Sequence, residues 1–464
     1  MHRGVPCRLH LRGRADALHS PGRVRRLRCL RAGVPGGGHL LRRRRTGRVG
    51  RVHQGERRLL RRPRFAGRRR QGRQGREGRG ARHQPASAGG MSSATSPGAS
   101  ASGRRGPQLP EFPWDTLAEV KATAAAHPDG IVDLSVGTPV DPVPDVLQRA
   151  LTSVADVPGY PATHGTPELR AAAAGALQRR FGVADVPTDA VLPTIGSKEL
   201  VAWLPTLLGV RPGDVVAVPE LAYPTYEAGA TLAGAEVVRL APGEAPPAGT
   251  VLTWLNSPSN PTGQVLDAAQ LRESVSAARA AGSIIASDEC YLSLGWDAEP
   301  VSVLHPAVCA DRTGVLAVHS LSKSANLAGY RAGFVTGDPV LVSRLLELRK
   351  HAGMIVPRPV QEAITAALDD DDHVAAQREL YANRRAQLRP ALEAAGFIIE
   401  HSAAGLYLWA TRGEDAWRTV DLLAQRGILA APGTFYGPAG EQHVRIALTA
   451  SDERVAAAAQ RLAG

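Results

Sequence analysis

From about residue 108 to residue 318 the chain alternates between short apolar runs rich in β-branched side chains and stretches whose apolar positions recur every three to four residues. The short runs fall at residues 131–135, 190–192, 214–218, 235–240, 251–255, 283–286 and 314–318, each followed by a loop. Between them, residues 198–208 and 267–281 carry the helical period. In the second of these Asp267 can cap the first turn, Gln270 stands where a capping partner belongs, and Gly282 stops the helix. Strands alternating with helices predict parallel βαβ units in a sheet covered on both faces, where functional groups gather at the carboxyl ends of the strands. Beyond residue 339 the pattern turns helical at 341–349, 360–368 and 372–395. A last strand pair, 405–410 and 443–448, then frames a helix and a loop at 433–437. The prediction is an α/β protein: a large, mostly parallel sheet domain over residues 155–344, and a smaller α+β domain assembled from 108–154 and 345–464.

Charge changes the picture at one end only. The chain of 464 residues carries a net +13, which invites a nucleic-acid partner. Residues 1–90, however, hold 27 Arg, no Lys and 3 acidic residues, a net +24, so the remainder is acidic at −11. That stretch also lacks Asn, Ile, Tyr and Trp and shows no apolar periodicity, so it cannot bury enough apolar surface to offset its ordering entropy. Its composition matches GC-rich DNA translated in a wrong frame or from a misplaced start. We therefore read residues 1–90 as a non-native or disordered extension, Met91 as the start, and residues 91–107 as disordered. No nucleic-acid and no membrane partner is expected: no segment has the apolar length of a membrane span, and the N-terminus lacks a signal peptide's apolar run. The expected location is the cytoplasm. Cys7, Cys29, Cys290 and Cys309 are too scattered for a disulfide framework or a zinc site, and no metal is expected.

The strongest chemical signal follows the run 314–318. It reads Ser320-Leu-Ser-Lys323-Ser-Ala-Asn-Leu-Ala-Gly-Tyr-Arg331. Lysine is almost never buried without a partner, so a lysine in a loop behind a buried strand points to chemistry. An amine with its pKa lowered by desolvation or by a cationic neighbour can act as a Schiff-base nucleophile. Ser320 and Arg331 can then hold a phosphate, the arginine through a planar two-pronged contact.

This stretch resembles the active-site signature of class I aminotransferases of fold type I, and the resemblance extends from about residue 112 to 462. It implies pyridoxal 5′-phosphate (PLP) as cofactor, with Lys323 forming the internal aldimine and moving the proton during transamination. Ser287-Asp288-Glu289-Cys290-Tyr291 then implies Asp288 as the partner of the pyridine nitrogen and Tyr291 as a donor to the cofactor O3′. An acid at a strand end also suits an ordinary helix cap. Asn256-Ser-Pro-Ser-Asn260-Pro-Thr-Gly matches the family's NPxNPTG loop, with Asn260 as a second O3′ donor. Gly196-Ser197-Lys198 lies at a strand-to-helix junction, where free backbone N–H groups and the helix dipole favour a phosphate. Tyr223 stands where the family stacks an aromatic on the ring, and Tyr226 is assigned to packing. Arg445, inside an apolar strand, matches the arginine that binds the substrate α-carboxylate. The Ser135-Val-Gly137 strip matches the backbone alongside the substrate. Tyr160 resembles the tyrosine that reaches the neighbouring subunit's cofactor phosphate, which implies a homodimer with shared active sites.

Five further strings narrow the resemblance. They begin at Phe112, Asp133, Gly159, Pro219 and Lys350, and together they look like the actinobacterial N-succinyldiaminopimelate aminotransferases. The resemblance implies exchange of an amino group between glutamate and N-succinyl-2-amino-6-oxopimelate in lysine biosynthesis. Lys198 and Arg358 are the candidates for the distal carboxylates. Two alternatives stand beside this: another class I aminotransferase or C–S lyase on the same fold, and a DNA-binding regulator that only senses PLP. The second would need a winged helical module, and residues 1–90 have no helical periodicity.

Overall fold

The computed structural model describes residues 109–464; the expectations for residues 1–90 and 91–107 lie outside them. In chain order the strands are β1 (Val132–Asp133), β2 (Val191–Ile195), β3 (Val215–Pro219), β4 (Glu236–Leu240), β5 (Thr250–Asn256), β6 (Ile284–Asp288), β7 (Val315–Ser320) and β8 (Ala332–Gly337). They continue with β9 (Ile398–Glu400), β10 (Tyr407–Thr411), β11 (Ile428–Leu429), β12 (Ala431–Pro432) and β13 (His443–Ala447). Seven of them form one sheet in the order β2-β8-β7-β6-β5-β3-β4. Only β8 runs against the others, antiparallel to both β2 and β7. The remaining pairs are parallel, so six strands end at the same edge. Four strands make an antiparallel sheet, β12-β13-β10-β9, while β1 pairs in parallel with β11.

Local sequence explains most of these elements. The helix Ala268–Ala280 begins in a full capping box: Asp267 accepts from two backbone N–H groups, and the Gln270 side chain accepts from the Asp267 N–H. Thr166 caps Pro167–Phe181, and Asp338 caps Pro339–Ala352 from its Oδ1 at 2.7 Å from the Val340 N–H. The large sheet is buried on both faces. One cluster includes Leu169, Val191, Val315 and Ile364, and the other Leu192, Val216, Trp254 and Leu345.

That packing refines the expected domain boundary at residue 344. The helices Pro339–Ala352 and Arg358–Asp369 contribute Leu345 and Ile364 to the two clusters on the large sheet, and Leu147, from the segment 108–154, joins them. A third cluster gathers Leu134, Tyr381, Leu388, Leu408 and Ile446 around the antiparallel sheet. The α/β architecture is as expected, and β8, β9, β11 and β12 are strands the sequence pattern did not reveal, β8 alone among them lying in the large sheet.

Candidate active site

The carboxyl ends of β2, β3, β5, β6 and β7 open onto a cavity of about 550 Å³, lined on its other side by Phe112, Trp114 and residues 136–138, by Tyr407 of β10 and by Arg445 of β13. Lys323 stands in the loop between β7 and β8. Its amine donates to the Gly137 carbonyl oxygen, and burial, helped by Arg445 and Arg331, holds its pKa below the usual lysine range. A buried amine of that kind is neutral more readily than an exposed one and can act as a nucleophile. The Tyr381 hydroxyl, from the long helix Asp372–Ala394, donates to the Lys323 carbonyl at 3.1 Å and fixes the loop from behind.

Asp288 ends β6, almost fully buried. Tyr226 donates its hydroxyl to Oδ2 at 2.9 Å and the Cys290 N–H reaches Oδ1 at 3.2 Å. Burial nonetheless pushes the carboxyl up, because these bonds only partly replace its hydration. A cation opposite Asp288 would reverse that direction, so the group suits a protonated ring nitrogen. Tyr226 was expected to be packing. It does stack on Trp254, at 4.7 Å between ring centres, but its hydroxyl also belongs to the site. Tyr223 lines the cavity edge-on to Tyr226, its hydroxyl pushed up to about 12 by burial.

A second group sits where β2 turns into the helix Gly196–Leu208. Gly196 has φ +71°, and a Cβ there would collide with the Arg331 guanidinium, so glycine is what lets that cation close on the helix N-terminus. Ser197, Lys198, Ser320, Ser322 and Arg331 line the same part of the cavity. Hydroxyls, two cations and the free N–H groups of a helix start make an anion site. Burial and the neighbouring Arg331 hold Lys198 below the ordinary lysine value.

Arg445 on β13 lies opposite. It is 2 % exposed and donates to Asn260 Oδ1 at 2.9 Å and to the Ser135 carbonyl at 2.7 Å. Its Nε has no partner, and no carboxylate among the described residues pairs with it. Instead the guanidinium lies over the ring of Tyr407, at 3.8 Å, and near those of Tyr436 and Trp114. A buried cation without an anion costs several kcal/mol on the order-of-magnitude scale, which a site for a carboxylate explains. Asn260 is itself fixed through its backbone N–H, which donates to Asn256 Oδ1 at 2.7 Å.

The cavity thus gathers Gly137, Ser197, Lys198, Tyr223, Asn260, Asp288, Tyr291, Ser320, Lys323, Arg331 and Arg445, with Gly196 against Arg331. Tyr160 is fully exposed and does not join it. Arg358 does not either: it spends its guanidinium on Glu362, one turn along its own helix, at 3.0 Å. Trp114, Phe112, Tyr226 and Tyr407 are lining residues to which sequence reasoning gave no place in the site. For Tyr407 the available signal was period-two alternation in 406–409, which puts Tyr407 and Trp409 on one face of β10.

The chain belongs to the aminotransferase class I and II family, whose model matches residues 129–462. Members of this family are PLP-dependent, and the residues above suit that cofactor: a buried lysine, an acid for the ring nitrogen and an anion site for the phosphate. When bound, PLP supplies an aldehyde that condenses with amines and a ring that withdraws electrons from the amine-bearing carbon. A Mycobacterium tuberculosis protein named probable aminotransferase is 60% identical over 419 residues, covering 89% of this chain and 99% of that protein. That span is too long to fit within residues 91–464 alone, so it reaches upstream of Met91. The 4-dedimethylamino-4-oxo-anhydrotetracycline transaminase OxyQ of Streptomyces rimosus is 59% identical, over 76% of this chain and 99% of its own. Among solved structures, the N-succinyldiaminopimelate aminotransferase of Mycobacterium tuberculosis superposes with a TM-score of 0.67 at 28% identity, covering 75% of this chain and 96% of that one. Among the described residues no helix is long and apolar enough to cross a membrane.

Proposed function

We propose that this aminotransferase exchanges an amino group between glutamate and N-succinyl-2-amino-6-oxopimelate, giving N-succinyl-LL-2,6-diaminopimelate and 2-oxoglutarate in lysine biosynthesis. The observation that carries the reading is the buried, anion-less Arg445 on the same cavity as Lys323, with Lys198 as a further cation on that cavity. A substrate with several carboxylates can place one on Arg445 and a distal one toward Lys198, which also borders the phosphate site. In this reading Lys323 holds the cofactor and serves as the base at the substrate α-carbon. Asp288, oriented by Tyr226, keeps the ring nitrogen protonated. Tyr291 and Asn260 would donate to the ring oxygen, Tyr223 would stack on the ring, and Gly196, Ser197, Lys198, Ser320 and Arg331 would hold the phosphate. Arg445 binds the α-carboxylate beside the Gly137 strip. LL-Diaminopimelate aminotransferases of Dehalococcoides mccartyi, 33% identical over 77% of this chain, are named for a related substrate. The fully exposed Tyr160 supports a homodimer in which it completes the partner's phosphate site. We place the enzyme in the cytoplasm.

A second reading is favoured by the OxyQ relative and by the aromatic walls Phe112, Trp114, Tyr223 and Tyr407, which also suit a bulky cyclic ketone. One assay separates the two: purified enzyme, glutamate as donor, and a panel of acceptors including N-succinyl-2-amino-6-oxopimelate, pyruvate and a polycyclic ketone. Preference for the succinylated acceptor is expected. Ketone preference, or pyruvate and ammonia released from cystathionine, would overturn the reading. Removing residues 1–90 should leave activity unchanged; loss of turnover together with sequence-specific DNA binding by those residues would favour a regulator.

A further inference from the structure

Tyr407 is the least expected member of the cavity. Its hydroxyl lies 3.2 Å from the Tyr291 hydroxyl, the two rings edge to face at 5.8 Å between centres. Its ring carries the Arg445 guanidinium at 3.8 Å, closer than the rings of Tyr436 and Trp114. A Cβ on residue 137 would collide with the Tyr407 hydroxyl, so the phenol rests directly on Gly137, whose carbonyl accepts from Lys323. One side chain therefore touches the groups assigned to the substrate carboxylate, to the ring oxygen and to the strip beside the substrate.

We propose that Tyr407 is a positioning residue with two separable parts: its ring is the platform that aims Arg445, and its hydroxyl is the hydrogen-bond partner that aims and polarises Tyr291. This rests on the reading of the Lys323 cavity as the transamination site. The balance of charge supports the division. Burial raises the Tyr407 phenol, but Arg445 and Lys323 outweigh it and bring the group down, whereas Tyr291 is driven up by burial. The more acidic phenol of the pair is thus the one between the two cations. When Tyr291 turns its proton toward an anionic oxygen of a bound ligand, its own oxygen can accept from a donor, and Tyr407 is the hydroxyl placed to be it. No proton leaves the pair; each hydroxyl passes its donor role one step along.

The two parts predict different losses. Tyr407→Phe keeps the platform and removes the hydroxyl. Tyr291 becomes a weaker donor to the ring oxygen, which leaves more negative charge there to favour the protonated nitrogen beside it. The pH midpoint of the visible absorbance of the PLP-loaded enzyme should move up by about half a unit, the size of one modest hydrogen bond. kcat should fall about tenfold while KM for glutamate stays within about twofold. Tyr407→Leu also removes the platform, and KM for glutamate should rise about tenfold. A merely structural tyrosine would lower the melting temperature and leave the absorbance midpoint in place. The inference is overturned if Tyr407→Phe titrates like wild type, or if the Phe and Leu variants share one KM. Wild-type enzyme that shows no PLP absorbance dependent on Lys323 would sink the site reading, and this inference with it. Wild type with that absorbance, beside an unshifted Tyr407→Phe, sinks this inference alone.

Discussion

Replacing Arg445 by Met should separate binding from stability. In the wild type the guanidinium is enclosed, with two hydrogen bonds to uncharged oxygens, one unpartnered N–H and a ring at 3.8 Å. Burying such an ion costs several kcal/mol after relaxation. Two hydrogen bonds from a charged donor return about 1.5–3 kcal/mol each, and a desolvated cation–π contact about 2 kcal/mol. These contributions nearly cancel, so Met, of similar length and apolar, should leave the melting temperature within about 5 °C, taking 2–4 °C per kcal/mol for a large chain. Substrate binding has no such compensation. Losing a two-pronged pair with a carboxylate forfeits about 3 kcal/mol, which is about a hundredfold in KM for glutamate. Arg445→Lys should fall between, since an ammonium keeps the charge and loses the fork. Steady-state kinetics with glutamate and a thermal melt of each variant decide the matter. The reasoning is refuted if KM changes less than about threefold, or if the Met variant melts more than about 10 °C lower.

Other consequences can be measured with the same preparations. Tyr226→Phe deprives Asp288 of its side-chain donor; kcat should drop about tenfold with little change in KM, and an unchanged kcat would return Tyr226 to packing alone. Lys198→Met should raise KM for the succinylated acceptor about tenfold more than KM for pyruvate, any loss common to both acceptors reporting its place beside the phosphate site, whereas equal losses on both would remove Lys198 from substrate selection. Glu289, beside the site, is pushed up to about 7 by burial, against bonds from the Val303 N–H, Ser302 and Ser287. Its folded value exceeds its unfolded value of 4.5, so the stability it contributes is full below pH 4.5 and is lost as pH rises through 7. Glu289→Gln, neutral throughout, should therefore gain on wild type progressively as pH rises from about 4.5 to about 7 and keep a constant advantage above that; a difference that does not change across that window would contradict the buried-carboxyl account.

The sheet was legible because each central strand is buried on both faces and so reads as an apolar run. β7, buried along its whole length, shows as Val-Leu-Ala-Val. β8 escaped because Ala-Gly-Phe-Val-Thr-Gly is interrupted and ended by glycine and carries few β-branched residues, directly behind a loop whose chemistry dominates the reading. The boundary at 344 cut through the helix 339–352 and left the helix 358–369 to the smaller domain, since an amphipathic pattern states that a face is buried and not against what. Within the site, the residues found from sequence are those whose chemistry is set by type and spacing: the lysine, the acid at a strand end, the glycine turn and the arginine in an apolar strand. Tyr226 and Tyr407 were missed for one reason. Both act through partners more than sixty residues away, Asp288 and Tyr291, and an aromatic at a core-like position carries no local mark of such a contact.

The central claim concerns one amine. Purified protein incubated with PLP, reduced with borohydride, digested and mapped by mass spectrometry reports which nitrogen condensed with the aldehyde. The account predicts one stoichiometric, reduction-fixed adduct on Lys323, and neither that adduct nor the aldimine absorbance in Lys323→Ala. An adduct on Lys198 or on a surface lysine instead, with Lys323 unmodified, would contradict it.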